Sequence, residues 1–463
     1  RIMTKKFSLL FSVMIIATLL LAACGTPATQ APAATEAPAT QAPAATEAPA
    51  TQAPAATEVA PTEAAAAPVT ITWWHISTKD PALSDWQKMA DDYMAVHPNV
   101  KIEITVLENE AFKTKLATTL QSGDVPDIFQ SWGGGGLNEQ IDAGLLKDIT
   151  ADLDADGGAW RNSFAPGALA VFAKDGKNYG VPWDMGMVGW WYNKDLFAKA
   201  GIANPPATWD EFLADVKLLK ATGITPISLG EKDTWTGMHI WSYLATRIGG
   251  EAAFKAAASG TGSFADPAFV QAGEELQKLI DLQPFQAGFL GATHDEMQAT
   301  FGNGEAAMEL SGQWAPSVEK ANSADGVGVK NLGMFNFPAV EGGAGDGSDV
   351  VGGGNGFAIG KDASPEAVDF VKYLTSVENQ TKIAADGIGI PTVKGAEAGL
   401  TDPNMILVQQ AFANAKYFQL YYDQLLAPAM GGIINDATAK LYAGAATAQQ
   451  VADEIAAGAE ANK

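Results

Sequence analysis

The chain of 463 residues contains a single cysteine, Cys24. No intramolecular disulfide can brace the fold, so burial alone must hold it. Histidine is almost as scarce, with 4 residues and no paired spacing of the kind zinc requires. No G-x-S-x-G, H-E-x-x-H or G-x-x-x-x-G-K-[ST] string occurs, which leaves no serine-hydrolase, zincin or P-loop signature. Positive charge is sparse: 29 Lys and Arg against 53 Asp and Glu give a net charge of −24. That balance argues against binding nucleic acid or an anionic membrane face. Beyond residue 23 no apolar run is long enough to span a bilayer.

What is present starts with Lys5 and Lys6, followed by an apolar run over residues 7–23 that closes on Leu21-Ala22-Ala23-Cys24. A charged start, an apolar core and small residues at a cut site make a secretory signal. Arg1 opens the chain, and Met3 is the expected start residue. Removing residues 1–23 takes away Arg1, Lys5 and Lys6 and no acids, and moves the net charge from −24 to −27. The L-A-A-C string resembles the lipobox of bacterial lipoproteins. The resemblance implies lipidation of Cys24 and a mature chain tethered by membrane lipid, on the outer face of the cytoplasmic membrane or in a periplasm. The alternative is an ordinary signal peptide with a chance cysteine. Residues 24–68 are then a linker, almost wholly Ala, Pro, Thr, Gln and Glu, with TQAPAATEAPA at Thr29 and again at Thr40. Val59 is its one larger apolar side chain. Such a segment has nothing to bury and is expected to be disordered. In a polyproline II conformation it could reach on the order of 100 Å.

The remaining part, about 395 residues, is expected to form two domains. Residues 69–73 alternate as a strand, and Trp86, Met89, Ala90 and Tyr93 fall at helical steps after Pro81. Val100–Val106 is a second strand, Phe112, Leu116 and Leu120 mark a helix, and residues 125–129 form a short strand. This β-α-β-α-β order predicts a parallel sheet with helices on its faces. Ligands sit beyond the carboxyl ends of such strands, here at Trp74-His75, Glu108-Asn109 and Gln130-Ser131-Trp132. A second series follows, with extended chain at 182–192, a helix at 209–219 capped by Thr208, a strand at 224–229 and a helix at 239–248. Residues 346–356 are dense in glycine, residues 357–359 read as a strand, and 403–462 as mostly helix.

Several strings together resemble one family. They are GDVPDIFQSWGGG from Gly123, YGVPWDMGMVGWWYNKDLFAKAGI from Tyr179, TWDEFLADVKLLK from Thr208, NGEAAMELSGQW from Asn303 and SPEAVDFVKYLTS from Ser364. Their content and order are similar to the extracellular solute-binding proteins of ABC importers, in the carbohydrate-binding group that includes the maltose-binding proteins. The resemblance runs from about residue 69 to the C-terminus. It implies an α/β, two-lobed periplasmic-binding-protein-like fold of type II, each lobe a mainly parallel sheet flanked by helices, joined by a hinge. Lobe one would be 69–181 plus 357–400, and lobe two 182–355 plus 402–463, with crossings near 182–187, 352–356 and 401. The glycine-rich crossing suits a hinge, or a flexible surface loop. The implied partners are an oligosaccharide and two membrane permease subunits with an ATPase; a monomer without cofactor or catalytic activity is expected.

Sugars present hydroxyls around a ring with C–H faces, so a binder needs flat aromatic walls and a few fixed polar groups. Trp132, after a strand end, and Trp314, after a second, are the leading walls. Gln130 and Ser131 are hydrogen-bond candidates beside the first. Trp183 and Asp184 stand at the crossover, where a carboxylate would accept from sugar hydroxyls. Trp235 with Asp233, Trp74 with His75, Asn355 and Tyr422 complete the expected set. Trp86, Trp160, Trp190, Trp191, Trp209 and Trp241 are assigned to core or surface. The strings QSWGGG and GMVGWWYNKDLF resemble most the members that handle short β-linked sugars such as xylobiose.

Rival readings exist. A surface glycosidase would need two carboxylates roughly 5–10 Å apart, for which Asp184 and Asp233 are the nominees. Ferric ion is suggested by Tyr421-Tyr422, and a polyamine would want more acids beside its Trp. Asp152, Asp154, Asp156 and Gly157 match the start of a calcium loop, but its twelfth position is Ser163 instead of Glu. A solvated acidic turn is the alternative there.

Overall fold

The computed structural model describes residues 67–462, residue 166 apart. The expected signal segment, Cys24 and the expected linker up to residue 66 lie outside the described residues. Among the described residues no helix is long and apolar enough to cross a membrane.

The described strands are β1 (Val69–His75), β2 (Val100–Val106), β3 (Ile128–Ser131), β4 (Ala173–Lys174), β5 (Lys177–Asn178), β6 (Gly180–Met187), β7 (Gly189–Asn193), β8 (Thr225–Ile227), β9 (Ala306–Ser311), β10 (Leu332–Phe335), β11 (Val350–Ile359) and β12 (Phe418–Leu420). One sheet runs β12-β11-β3-β1-β2, with β6 added along β11. A second runs β10-β7-β9-β8. The chain passes between them across the single residue Val188. These are the two lobes of a periplasmic-binding-protein-like fold.

The expected parallel order holds for β2-β1-β3. Strand β11 then enters antiparallel to both β3 and β6. The second sheet is mixed: β8 and β9 are parallel, while β7 runs antiparallel to β9 and β10. The mainly parallel order expected for that lobe is therefore confined to the β8–β9 pair, with β7 running against both of its neighbours.

Period-two alternation sets β1. Ile71, Trp73 and His75 point into the core, and Trp74 points to the other face. The helix Ala82–Val96 lays Trp86, Met89 and Tyr93 over that core. Trp86, Phe357 and Phe370 meet Trp73 edge-on or pack around it at 5.4–5.8 Å. The second core stacks Trp209 on Phe212 and Phe337, with Trp190 and Tyr243 beside them. Burying each such side chain stabilises by about 1.5–3 kcal/mol. The six tryptophans assigned to core or surface are all buried.

Two local expectations need correction. The glycine-dense segment is not a loop: residues 350–359 form one strand, paired with β12, β6 and β3. Its glycines answer to close approach. A Cβ on Gly352 would stand 2.2 Å from the Gly186 carbonyl oxygen, and one on Gly353 2.3 Å from the Tyr421 ring. Gly133–Gly135, in the first family-like string, are closely packed. Gly134 begins the helix Gly134–Asp142, whose first turn packs backbone to backbone on residues 424–427. Finally, the helix expected from residue 239 begins at Trp235 and runs to Ser259, with a kink at Gly250. It is buried on nearly every face over 236–248, which erases the one-sided pattern that marks a surface helix.

Candidate functional site

A cleft holding about 1280 Å³ of empty space, part of it open to solvent, lies beyond the strand ends. One side is built by the loop after β1 (residues 76–81) and Ala82 at the start of the next helix, the N-terminus of the helix Asn109–Ser122, Trp132 after β3, and Trp183 on β6. The other carries Trp235 and His239, His294 and Asp295, and Gln313, Trp314 and Ser317 after β9. Residues 353–355 of β11, and Tyr421, Asp423 and Gln424 after β12, close the base.

The aromatic side chains are fixed by one another. Trp132 meets Phe112 edge-on at 6.0 Å, and the Lys113 ammonium lies 5.6 Å from its ring centre. Trp183 packs edge-on against Trp86 at 5.2 Å. Opposite, Trp235 lies 4.9 Å from His294, 5.4 Å from His239 and 6.4 Å from Trp314. His239 stacks on Tyr421 at 5.1 Å. The result is tryptophan on both sides of one space, with histidine and tyrosine filling in. Apolar ring faces and scattered polar edges suit a ligand with both C–H and O–H surfaces.

The electrostatics are quiet at neutral pH. Burial holds His239 down to about 3 and His294 down to about 4, so both rings are uncharged. Burial raises Asp233 and Asp423 above the usual carboxylate range. Glu108 lines the cleft but serves as the cap of its helix, accepting from the Glu110 and Ala111 amides. Lys79 and Asp295 face each other across the mouth at 3.8 Å. Several lining side chains carry buried polar atoms with no partner among the described residues: Trp235 Nε1, His239 Nδ1, Gln313 Oε1 and Tyr421 Oη. Among those residues no group of three His, Cys, Asp or Glu side chains is placed to hold a metal ion.

A sequence model of the bacterial extracellular solute-binding proteins matches residues 78–381, which takes in both walls of the cleft. The chain belongs to that family. This solute-binding protein is 27% identical over 349 residues to the multiple sugar-binding protein of Streptococcus mutans, covering 72% of this chain and 78% of that one. Among solved structures it is similar, at a TM-score of 0.79 and 30% identity, to a protein from work on xylan utilization by the thermophilic bacterium Caldanaerobius polysaccharolyticus, over 84% of this chain and 99% of that one. A chitin oligosaccharide binding protein matches equally well, at a TM-score of 0.79 and 29% identity, covering 85% of this chain and 98% of that one.

Of the residues expected to meet a ligand, Trp132, Trp183, Trp235, Trp314 and Asn355 line the cleft of the solute-binding protein. The others do not. Trp74 lies on the outer face of β1 under the Lys115 ammonium, 4.4 Å from its ring centre. His75 shares the core face with Trp73, 5.0 Å away, and accepts from the Ser77 amide; burial lowers it to about 4. Ser131 accepts from the Gly133 amide. Gln130 and Asp184 stand behind the wall, bonded to other side chains. Asp233 Oδ2 accepts from the His294 amide at 2.6 Å. Tyr422 is core, against Trp241 and Phe254. The ferric-ion pair is thereby split, since Tyr421 faces the cleft and Tyr422 faces away. The glycosidase pair also fails. Both carboxylates are held by the protein's own donors, and neither lines the cleft. In the calcium-like segment Asp154 pairs with Arg161, and Asp156 lies 3.9 Å from Lys372. That segment is a kinked helical turn.

Glu108 and Asn109 were legible as strand-end residues without being expected as contacts. Lys79, His239, His294 and Gln313 were missed, and Tyr421 was read only beside Tyr422. Gln313 adjoins Trp314, and His294 opens a helix with a capping box at Thr293 and Glu296. Those two had a local signal; His239, inside a buried helix, had none.

Proposed function

We propose that this chain is the lipid-anchored, extracellular sugar-binding component of an ABC importer, holding a short oligosaccharide between its lobes and handing it to the permease. The observation that carries this reading is the pair of facing aromatic walls, Trp132 and Trp183 against Trp235 and Trp314, in one cleft with polar side chains between them. Rings of that size supply flat surface for sugar faces, while the unpartnered polar atoms beside them suit hydroxyls. The names of relatives that bind multiple sugars and chitin oligosaccharides support the ligand class. A ligand touching both walls has differential affinity for the closed arrangement, and closure requires that difference.

The lobe limits proposed are those expected from the resemblance, with the first crossing moved from 182 to Val188, since β6 pairs along β11 in the first sheet. Cys24 is the proposed site of lipidation, residues 24–68 the tether, and the cell envelope the location. The protein acts as a monomer and turns over no substrate. Calorimetric titration of the full-length chain with xylo-, chito- and malto-oligosaccharides of two to four units tests the ligand, with ferric ion and spermidine as controls. Saturable heat with at least one sugar and none with the controls is expected. Binding of a control alone would overturn the ligand class, and release of reducing sugar would overturn the non-enzyme reading. Loss of membrane association in Cys24→Ser, measured by fractionation, tests the anchor.

A further inference from the structure

Asp184 is fully buried, and both its oxygens are spoken for. Oδ1 accepts from the Ile390 amide at 2.7 Å. Oδ2 accepts from Gln313 Nε2 at 2.5 Å and from Asn355 Nδ2 at 2.8 Å. Asn355 Oδ1 in turn accepts from Gln130 Nε2 at 2.8 Å. Gln313 directly precedes Trp314, and Gln130 lies two residues before Trp132. One carboxylate thus connects the strand end that carries one aromatic wall to the loop that carries the other.

The chemistry fixes the direction of every bond in this chain. An ionised carboxylate only accepts, so Gln313 and Asn355 must each turn their NH2 toward it. Asn355 is then left with its oxygen facing Gln130, which must donate. Burial pushes Asp184 up to about 6 while three donors pull it back, and the group is ionised above that pH. The surroundings are shaped for the relay. A Cβ on Gly186 would lie 2.5 Å from Gln313 Cδ, and one on Gly389 2.7 Å from Asp184 Oδ1.

We propose that Asp184 is a positioning residue for the cleft: through the carboxamides of Gln313, Asn355 and Gln130 it fixes the loop bearing Trp314 relative to the strand end bearing Trp132. This rests on the proposed function and adds to it what sets the spacing of the walls. Asn at 184 removes the charge that sets these directions. With its oxygen on the Ile390 amide, its NH2 can face Gln313 and Asn355 only if those two side chains and Gln130 all turn over, which reverses every bond of the relay.

The test is a double-mutant cycle on the full-length chain, read by calorimetry with whichever sugar of the xylo-, chito- and malto-series binds the unmodified protein most tightly. Asp184→Asn is expected to weaken binding at least about tenfold. In a Trp314→Phe background the same change is expected to cost less than about threefold, because the ring it positions is already altered. A purely structural role would give equal losses in both backgrounds, and that result overturns the inference, as does Asp184→Asn binding within about twofold of the unmodified chain. Should thermal unfolding show that Asp184→Asn does not fold, Gln130→Met takes its place in the cycle, since Gln130 stands behind the wall and its loss breaks the relay at Asn355 without removing a cleft-lining group. If the unmodified chain binds no sugar, the proposed function fails and this inference with it; binding with additive losses refutes the inference alone.

Discussion

Replacing Gly312 by alanine is a small change with a large expected effect at one place. A Cβ there would stand 2.1 Å from Trp314 Cζ3, 2.3 Å from Cη2 and 2.5 Å from Cε3. Ordinary carbon–carbon contact is about 3.5–4.0 Å, so the indole must move by roughly 1.5 Å or rotate away. The backbone offers no objection, since Gly312 is not among the residues with positive φ. Trp314 is only partly buried, and it can yield toward the cleft without opening the second core. Folding stability should therefore fall by no more than about 1 kcal/mol, below the usual overpacking cost. Binding should suffer more. Losing about 50–100 Å² of ring contact with a sugar face is worth roughly 1–2.5 kcal/mol, or about 5- to 70-fold in Kd. Calorimetry with the tightest-binding oligosaccharide, beside a thermal melt, separates the two effects. Trp314→Ala should lose a similar amount. Gly312→Ala that folds normally and binds within about twofold of the parent would refute the assignment of Trp314 as a sugar wall.

Other outcomes follow from the same geometry. Gly135→Ala would drive a Cβ to 2.1 Å from the Leu426 carbonyl oxygen, with backbone on both sides; denaturant unfolding should show a loss of about 1–3 kcal/mol or more. Burial raises Glu319 from 4.5 to about 7. The folded chain therefore holds that proton more tightly than the unfolded chain, so the contribution of Glu319 to stability is fully present below about 4.5 and is lost as pH rises through 7. Glu319→Gln should remove up to roughly 3 kcal/mol of that slope, seen as a smaller difference between melts at pH 5 and pH 8. Lys79→Ala breaks the ion pair with Asp295 across the cleft mouth, whose members are 45% and 42% exposed. Sugar affinity should drop by less than about fivefold at low salt, and the difference should vanish near 1 M salt.

The sequence made some of this architecture readable and hid the rest for physical reasons. A helix end with a side-chain cap was legible: Thr208 with Glu211 forms a capping box. So was the βαβ order of the first sheet, where alternation and helical spacing are both strong. The glycine-rich strand was not, because glycine speaks equally for a hinge, a turn or a close approach, and only the neighbouring backbone decides. For site residues, position along a strand mattered more than residue type. Trp132 lies just past β3 and faces the cleft, whereas Trp74 and His75 lie within β1 and take its two faces. Tyr421 and Tyr422 show the same limit, since adjacent side chains diverge and nothing in the pair says which one turns to the cleft. Asp184 was expected at the ligand because carboxylates bind hydroxyls. Its burial and its three donors put it one layer behind, which no sequence pattern encodes.

The central claim, that a sugar lies between the two tryptophan walls, is tested most directly by a crystal structure of the protein grown with its tightest-binding oligosaccharide. The account predicts sugar density in the cleft, with one ring face on Trp314 and contacts reaching Trp132 or Trp183. Density for the sugar elsewhere on the protein, or an empty cleft at saturating sugar, would contradict it.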